Sequence, residues 1–229
     1  MGIFDLLFPK YCVNCKKLGQ YLCDTCFSYL SYETVGKCLV CGLASIDYYT
    51  HPGCKRKYEI DGSFASIVYS GVAKKLIYQF KYKPYVSDLQ KFLGELLYEN
   101  LIQNEYFQKI ISFSSILVPI PLHKKREKMR GYNHAMLLAE GLGSKFNVTV
   151  EQLLVRVKET KSQYGLKQKE REKNMQSAFA VCSNAFLSSC PNILLVDDIL
   201  TTGATLKEAA RVLKRNGAKK VFGIALAQD

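Results

Sequence analysis

Four ligand pairs with the same two-residue gap dominate the first quarter of the chain: Cys12-x-x-Cys15, Cys23-x-x-Cys26, Cys38-x-x-Cys41 and His51-x-x-Cys54. A gap of two lets both side chains of a tight knuckle point at one ion, and two knuckles complete a tetrahedral zinc shell. The neutral imidazole of His51 can stand in for a thiolate without changing that geometry. Eight ligands suit two structural zinc ions. Sequential pairing puts Cys12, Cys15, Cys23 and Cys26 around one and Cys38, Cys41, His51 and Cys54 around the other. Interleaved pairing and a single ion are the alternatives. Closed shells leave no open coordination position, so the expected role is structural rather than catalytic. Cys182 and Cys190 have no neighbouring ligands and are expected to be small core residues.

Metal is preferred to disulfides because the expected location is the cytoplasm. The opening MGIFDLLFPKYC has too short an apolar patch for a signal peptide, and Asp5 interrupts it. No apolar run approaches the roughly 20 residues needed to cross a bilayer.

After Cys54 the pattern changes, which divides the chain into a cysteine-rich zinc-binding head (residues 1–58) and a larger body (residues 59–229). Alternating apolar residues make Asp61 to Gly71 a strand. Helical spacing of Val72, Leu76, Ile77 and Phe80 predicts a helix from Gly71, and a leucine-rich stripe predicts another from Ser87 to about Asn104. SSILVPIPL is a buried strand that stops at prolines and runs into a basic loop. GYNHAMLLAEGLGSKF is a helix, VTVEQLLVRV a strand, Ile193 to Val196 a buried strand, TGATLKEAARVLKRNGA a helix stopped by Gly217, and KKVFGIALA a last strand. Strand and helix alternate, so the expected class is α/β: a parallel sheet covered by helices on both faces.

The stretch ILLVDDILTTGATL places two acids at the end of a buried strand and a bulk-free hydroxyl loop directly after them. Ligands of such sheets sit beyond the carboxyl ends of the strands. Thr201, Thr202 and Thr205 supply hydroxyls, Gly203 and Ala204 let backbone approach an anion, and the helix N-terminus behind them favours phosphate. Carboxylates beside a phosphate cradle should face hydrogen-bond donors, and ribose hydroxyls with a nearby magnesium ion meet that need. Asp197 and Asp198 therefore form a sugar grip beside a phosphate grip.

VDDILTTGAT resembles the signature of type I phosphoribosyltransferases, which bind 5-phosphoribosyl 1-pyrophosphate (PRPP). VPIPLHKKREKMRGYNHAMLLA is similar to a segment of the competence protein F (ComF) family, and KSQYGLKQKEREKNMQSAF resembles another of its segments. The paired knuckles resemble that family's N-terminal double zinc ribbon. The one departure is His51, where relatives often carry cysteine. The resemblance implies a type I phosphoribosyltransferase-like sheet with a small zinc-ribbon domain. It implies that Asp197 and Asp198 meet the ribose 2′- and 3′-hydroxyls, that Thr201, Thr202, Gly203, Ala204 and Thr205 take the 5-phosphate, and that the turn at Pro119 to Leu122 takes the place of the pyrophosphate loop.

The formal net charge is +12, and Pro119 to Asn174 alone holds 13 Lys and Arg against 6 Asp and Glu. Such a stripe is an electrostatic footprint for polyanions. His123, Lys124, Lys125, Arg126, Lys128 and Arg130 are candidates for contacting pyrophosphate or DNA. Tyr132, Tyr164 and His134 interleave with them and either stack on bases or pack in the core. The polar segment from Lys161 to Asn174 is expected to be a flap over the pocket, with Gln163, Lys167, Arg171 and Asn174 as its candidate residues. Two functions follow from the resemblance. One is a competence protein that handles incoming single-stranded DNA on the cytoplasmic side and binds PRPP, with a competence helicase and the inner-membrane DNA channel as partners. The other is an active phosphoribosyltransferase with an unidentified acceptor, whose chemistry rests on magnesium and an electrostatic clamp on the leaving pyrophosphate rather than on a protein nucleophile.

Overall fold

The computed structural model describes residues 9–82, 87–112, 115–160, 165, 167–182 and 192–229. The body runs β1 (Gly62–Val68), α1 (Gly71–Tyr82), α2 (Ser87–Ile102), β2 (Ile116–Pro119), α3 (Lys124–Arg130), α4 (His134–Phe146), β3 (Thr149–Val150), β4 (Leu154–Arg156), α5 (Gln168–Met175), β5 (Phe179–Val181), β6 (Ile193–Leu200), α6 (Ala204–Arg215) and β7 (Val221–Gln228). One helical turn, Glu105–Gln108, follows α2, and another, Asp24–Phe27, lies in the head.

Five strands form one sheet in the order β1-β7-β6-β2-β3, every pairing parallel. The central strands β6 and β7 are buried on both faces, and their near-continuous apolar runs follow from that. One face packs Phe64, Leu194, Val196 and Phe222 against Leu76, Phe80, Leu93, Leu97 and Leu138 of α1, α2 and α4. The other packs Leu195 and Ala225 against Ala209 and Leu213 of α6, with Met175 and Phe179 beyond. Fully burying each such large side chain contributes about 1.5–3 kcal/mol. The α/β expectation holds.

Three segments depart from the sequence reading. The expected basic loop after β2 is a helix, α3. His123 caps it by accepting the Lys125 N–H at 3.4 Å, and Gly131 closes it in the left-handed conformation. Lysine, arginine, methionine and glutamate are good helix formers, so local propensity and caps build α3 without an apolar face. VTVEQLLVRV is two strands: Thr149 and Val150 extend the main sheet, whereas Leu154–Arg156 turns away to pair antiparallel with β5. The latter part of the expected flap is α5, fastened to α6 by a Lys207–Glu172 ion pair of 2.6 Å and by Glu208 accepting the Ser177 N–H at 2.8 Å. Gln163, Tyr164 and Cys190 lie outside the described residues. Cys182 is half-buried and donates its thiol to the Gln152 carbonyl.

The head lies along the β1 edge. Ser31 accepts the Val68 N–H at 2.8 Å, the Thr34 hydroxyl donates to Ala65, and Gln228 reaches the Val35 carbonyl. Val13, Leu22 and Leu30 join the apolar cluster that contains Phe64. An open sheet edge is thereby covered. Among the described residues no helix is long and apolar enough to cross a membrane.

Candidate functional site

The ligand atoms of Cys12, Cys15, Cys23 and Cys26 lie within 4.8 Å of one another, and so do those of Cys38, Cys41, His51 and Cys54. These are the two sequentially paired sets. Hydrogen bonding readies one thiol of each set for metal. Burial pushes the Cys12 thiol up, but amides of Cys23, Cys15 and Asn14 outweigh it and bring the group down to about 6. Amides of Cys41, His51 and Val40 likewise outweigh burial at Cys38, leaving it at about 7. His51 offers Nδ1 to the cluster, 3.4 Å from Cys41 Sγ, while Nε2 sits 3.0 Å from the Ala44 carbonyl. A carbonyl at one ring nitrogen fixes the tautomer that leaves the other free to bind metal. Both sets therefore fit zinc, and His51 fits as well as a thiolate.

The second candidate region is the carboxyl rim of the sheet. Pro119 of β2 stands level with Val196, so β6 runs four residues beyond it, through Asp197–Leu200, against β7 alone. This opens a crevice of the kind in which α/β sheets bind ligands. Strand alternation sends the two acids to opposite faces. Asp198 is buried towards α1 and α4, with Oδ2 2.9 Å from Lys81 Nζ and 3.1 Å from His134 Nε2. Burial alone would raise its pKa, but the Lys81 charge and His134 hold it well below the usual carboxylate range. Burial pulls the Lys81 ammonium down, and the Asp198 charge outweighs that and keeps it raised. Asp197 is half-buried on the other face, and its Oδ1 accepts the Asp198 N–H at 2.8 Å. Burial and the Asp198 charge push its carboxyl up to about 7.

Beyond the acids, Thr201 and Thr202 line a cavity of about 370 Å³ with Asp229, with Gln168 and Arg171 of α5, and with part of the second metal knuckle. Gly203 begins α6 at φ +70°, and no side chain caps the helix there. A Cβ on Gly203 would lie 2.9 Å from Leu39, so packing as well as backbone conformation calls for glycine. Ala204 is buried behind it.

The basic candidates divide. Lys124 and Lys128 are exposed, and Lys125 pairs with Glu159 at 2.5 Å on the surface. Arg126 donates to the Thr160 carbonyl at 2.7 Å, and Arg156 of β4 donates to the Thr160 hydroxyl. Burial beside Arg126 pulls the Arg156 guanidinium down to about 10. Arg130 turns inward: Nη1 lies 2.8 Å from His134 Nε2 and Nη2 donates to the Tyr82 hydroxyl. His134 is buried beside Phe80 and Tyr132, so the packing role expected as one option for it is the one found. Among the described residues, the buried side-chain polar atoms without a partner are Arg130 Nε, His134 Nδ1, Arg156 Nε and Thr202 Oγ1. All belong to residues around this rim. Buried polar atoms of this kind call for a partner such as an ordered water or an ion.

Sequence reasoning missed Lys81 and Arg156. Lys81 follows Phe80 at the end of an amphipathic helix, where lysine is ordinary; only the tertiary fold brings it to Asp198. Arg156 sits in a segment whose strand direction the sequence did not reveal.

Residues 128–228 match the family model described as "Phosphoribosyl transferase domain". The chain is 30% identical over 234 residues to Competence protein F of Haemophilus influenzae, covering 96% of this chain and 98% of that protein. It is 26% identical over 225 residues to DNA utilization protein YhgH of Escherichia coli (strain K12), covering 94% and 96%. It is 31% identical over 151 residues to Competence protein ComFC of Bacillus subtilis, covering 65% of this chain and 56% of that one.

Proposed function

Since the chain belongs to the competence protein F family and carries a phosphoribosyltransferase domain, we propose that it handles single-stranded DNA in natural transformation and binds PRPP at the carboxyl rim of its sheet. The observation that supports the PRPP half is the crevice where β6 outruns β2 at Asp197 and Asp198, with the cavity lined by Thr201 and Thr202 beyond it. In this reading the 5-phosphate is held by the Thr201, Thr202 and Thr205 hydroxyls and by the backbone at Gly203 and Ala204. Asp197 accepts a ribose hydroxyl. Asp198 stays ionised and sets the field there, with Lys81 and His134 fixing its carboxylate. Pyrophosphate lies towards the Pro119 to Leu122 turn, near Arg126 and Arg156. Magnesium would accompany it and neutralise its charge.

The DNA half rests on charge and on relatives. A net charge of +12 and the exposed Lys124 and Lys128 on α3 suit a phosphate backbone. Two relatives are named for competence and one for DNA utilization. Such a role puts the protein on the cytoplasmic side, where a helicase and the DNA channel of the inner membrane are its natural partners.

The match to a transferase domain favours a second reading, transfer of phosphoribose to an acceptor. Release of pyrophosphate from magnesium-PRPP, followed with a panel of bases and with oligonucleotides, separates the two. PRPP binding and oligonucleotide binding without release support the DNA-handling module. Release with one base identifies the enzyme. A protein that binds neither PRPP nor oligonucleotide contradicts both.

A further inference from the structure

The cavity over Thr201 and Thr202 has one wall that the phosphoribosyltransferase-like body does not supply. Lys37, Leu39 and Cys41 of the second metal knuckle close it. The fit is specific: Leu39 rests against the bare Cα face of Gly203, where any Cβ would be 2.9 Å away. Lys37, immediately before the fully buried Cys38, is fastened through its backbone. Its carbonyl accepts the Ser63 hydroxyl at 3.3 Å, and it bridges to Ala44 across the knuckle. The residues lining the cavity thus include two cationic ones, Lys37 and Arg171, and one acidic one, Asp229. Beside them stand the unpartnered Thr202 hydroxyl and a helix start without a side-chain cap.

We propose that Lys37 is an anion-binding residue, so that the metal-bound head forms one wall of the phosphate seat. This rests on the PRPP reading above, which by itself needs only residues of the body. The knuckle ligands hold the loop that carries Lys37, so metal occupancy positions the cation. An anion in the seat in turn tethers the knuckle, because coupling between two bound groups is reciprocal. The head then belongs to the ligand site rather than being an appendage beside it.

The test uses the zinc-loaded full chain, titrated calorimetrically with inorganic phosphate and with magnesium-PRPP. Lys37→Met should weaken both ligands by roughly tenfold or more, the scale of a lost charge-assisted hydrogen bond. Its zinc content by mass spectrometry should match the wild type, and Lys37→Arg should restore most of the affinity. Saturating phosphate should slow zinc withdrawal by a chelator in the wild type and not in Lys37→Met. Wild-type affinity in Lys37→Met, with affinity lost in Thr202→Val, overturns this inference and leaves the PRPP site standing. Phosphate-independent zinc release overturns it too. A wild-type protein that binds neither ligand removes the PRPP reading and this inference with it.

Discussion

Burial and the adjacent charge of Asp198 push the Asp197 carboxyl up to about 7, which gives this one residue a definite pH signature. Its folded-state pKa lies above the unfolded value of about 3.9, so folding favours the protonated form. That contribution is complete below the unfolded pKa and is lost as pH rises through about 7. Asp198 is shifted the other way: its contribution is present above the unfolded pKa and is lost as pH falls below it. Asp197→Asn should therefore melt higher than the wild type above pH 7, with the difference shrinking towards acid, while PRPP affinity drops. Identical melting profiles for the two proteins would contradict the assignment. Gly203→Ala has the opposite balance. It places a Cβ at φ +70° and 2.9 Å from Leu39, and should cost about 1–3 kcal/mol in denaturant unfolding. An unchanged unfolding midpoint would mean that the head does not press on this loop.

Among the elements, those with an apolar face were legible in the sequence. The knuckles announced their ligands by spacing, and β6, α6 and β7 announced themselves by apolar runs and stripes. Helix α3 did not, because none of its residues is buried and periodicity cannot register a helix without a core face. The site was legible only as local chemistry. The Thr201 to Thr205 loop follows its strand directly, whereas Lys81 meets Asp198, and Leu39 meets Gly203, across long stretches of chain that no spacing rule connects. The Ala44 carbonyl that orients His51 belongs to the same class of tertiary detail. The consequence for the second metal set is direct. His51→Ala should leave a protein that keeps the first zinc and loses the second, read by native mass spectrometry, with a lower melting temperature because bound metal contributes folding energy. Retention of both ions would remove His51 from the ligand set.

At the scale of the whole molecule, the cysteine-rich head and a parallel sheet share one apolar cluster and meet at one cavity. A net charge of +12 surrounds them. Oligonucleotide affinity should fall linearly on a log–log plot against salt, as expected when basic side chains displace counterions. A flat dependence would take away the electrostatic basis for DNA binding.

The central claim is that the rim of the sheet is a phosphate site, and Thr202 tests it with little disturbance to the fold. Its hydroxyl is buried without a partner, so Thr202→Val removes an unsatisfied group at nearly constant shape and should hold or raise the melting temperature. In calorimetry with magnesium-PRPP the wild type should bind, and Thr202→Val should bind at least roughly tenfold more weakly. Equal affinity in the two proteins, or no heat of binding in the wild type, would contradict the account.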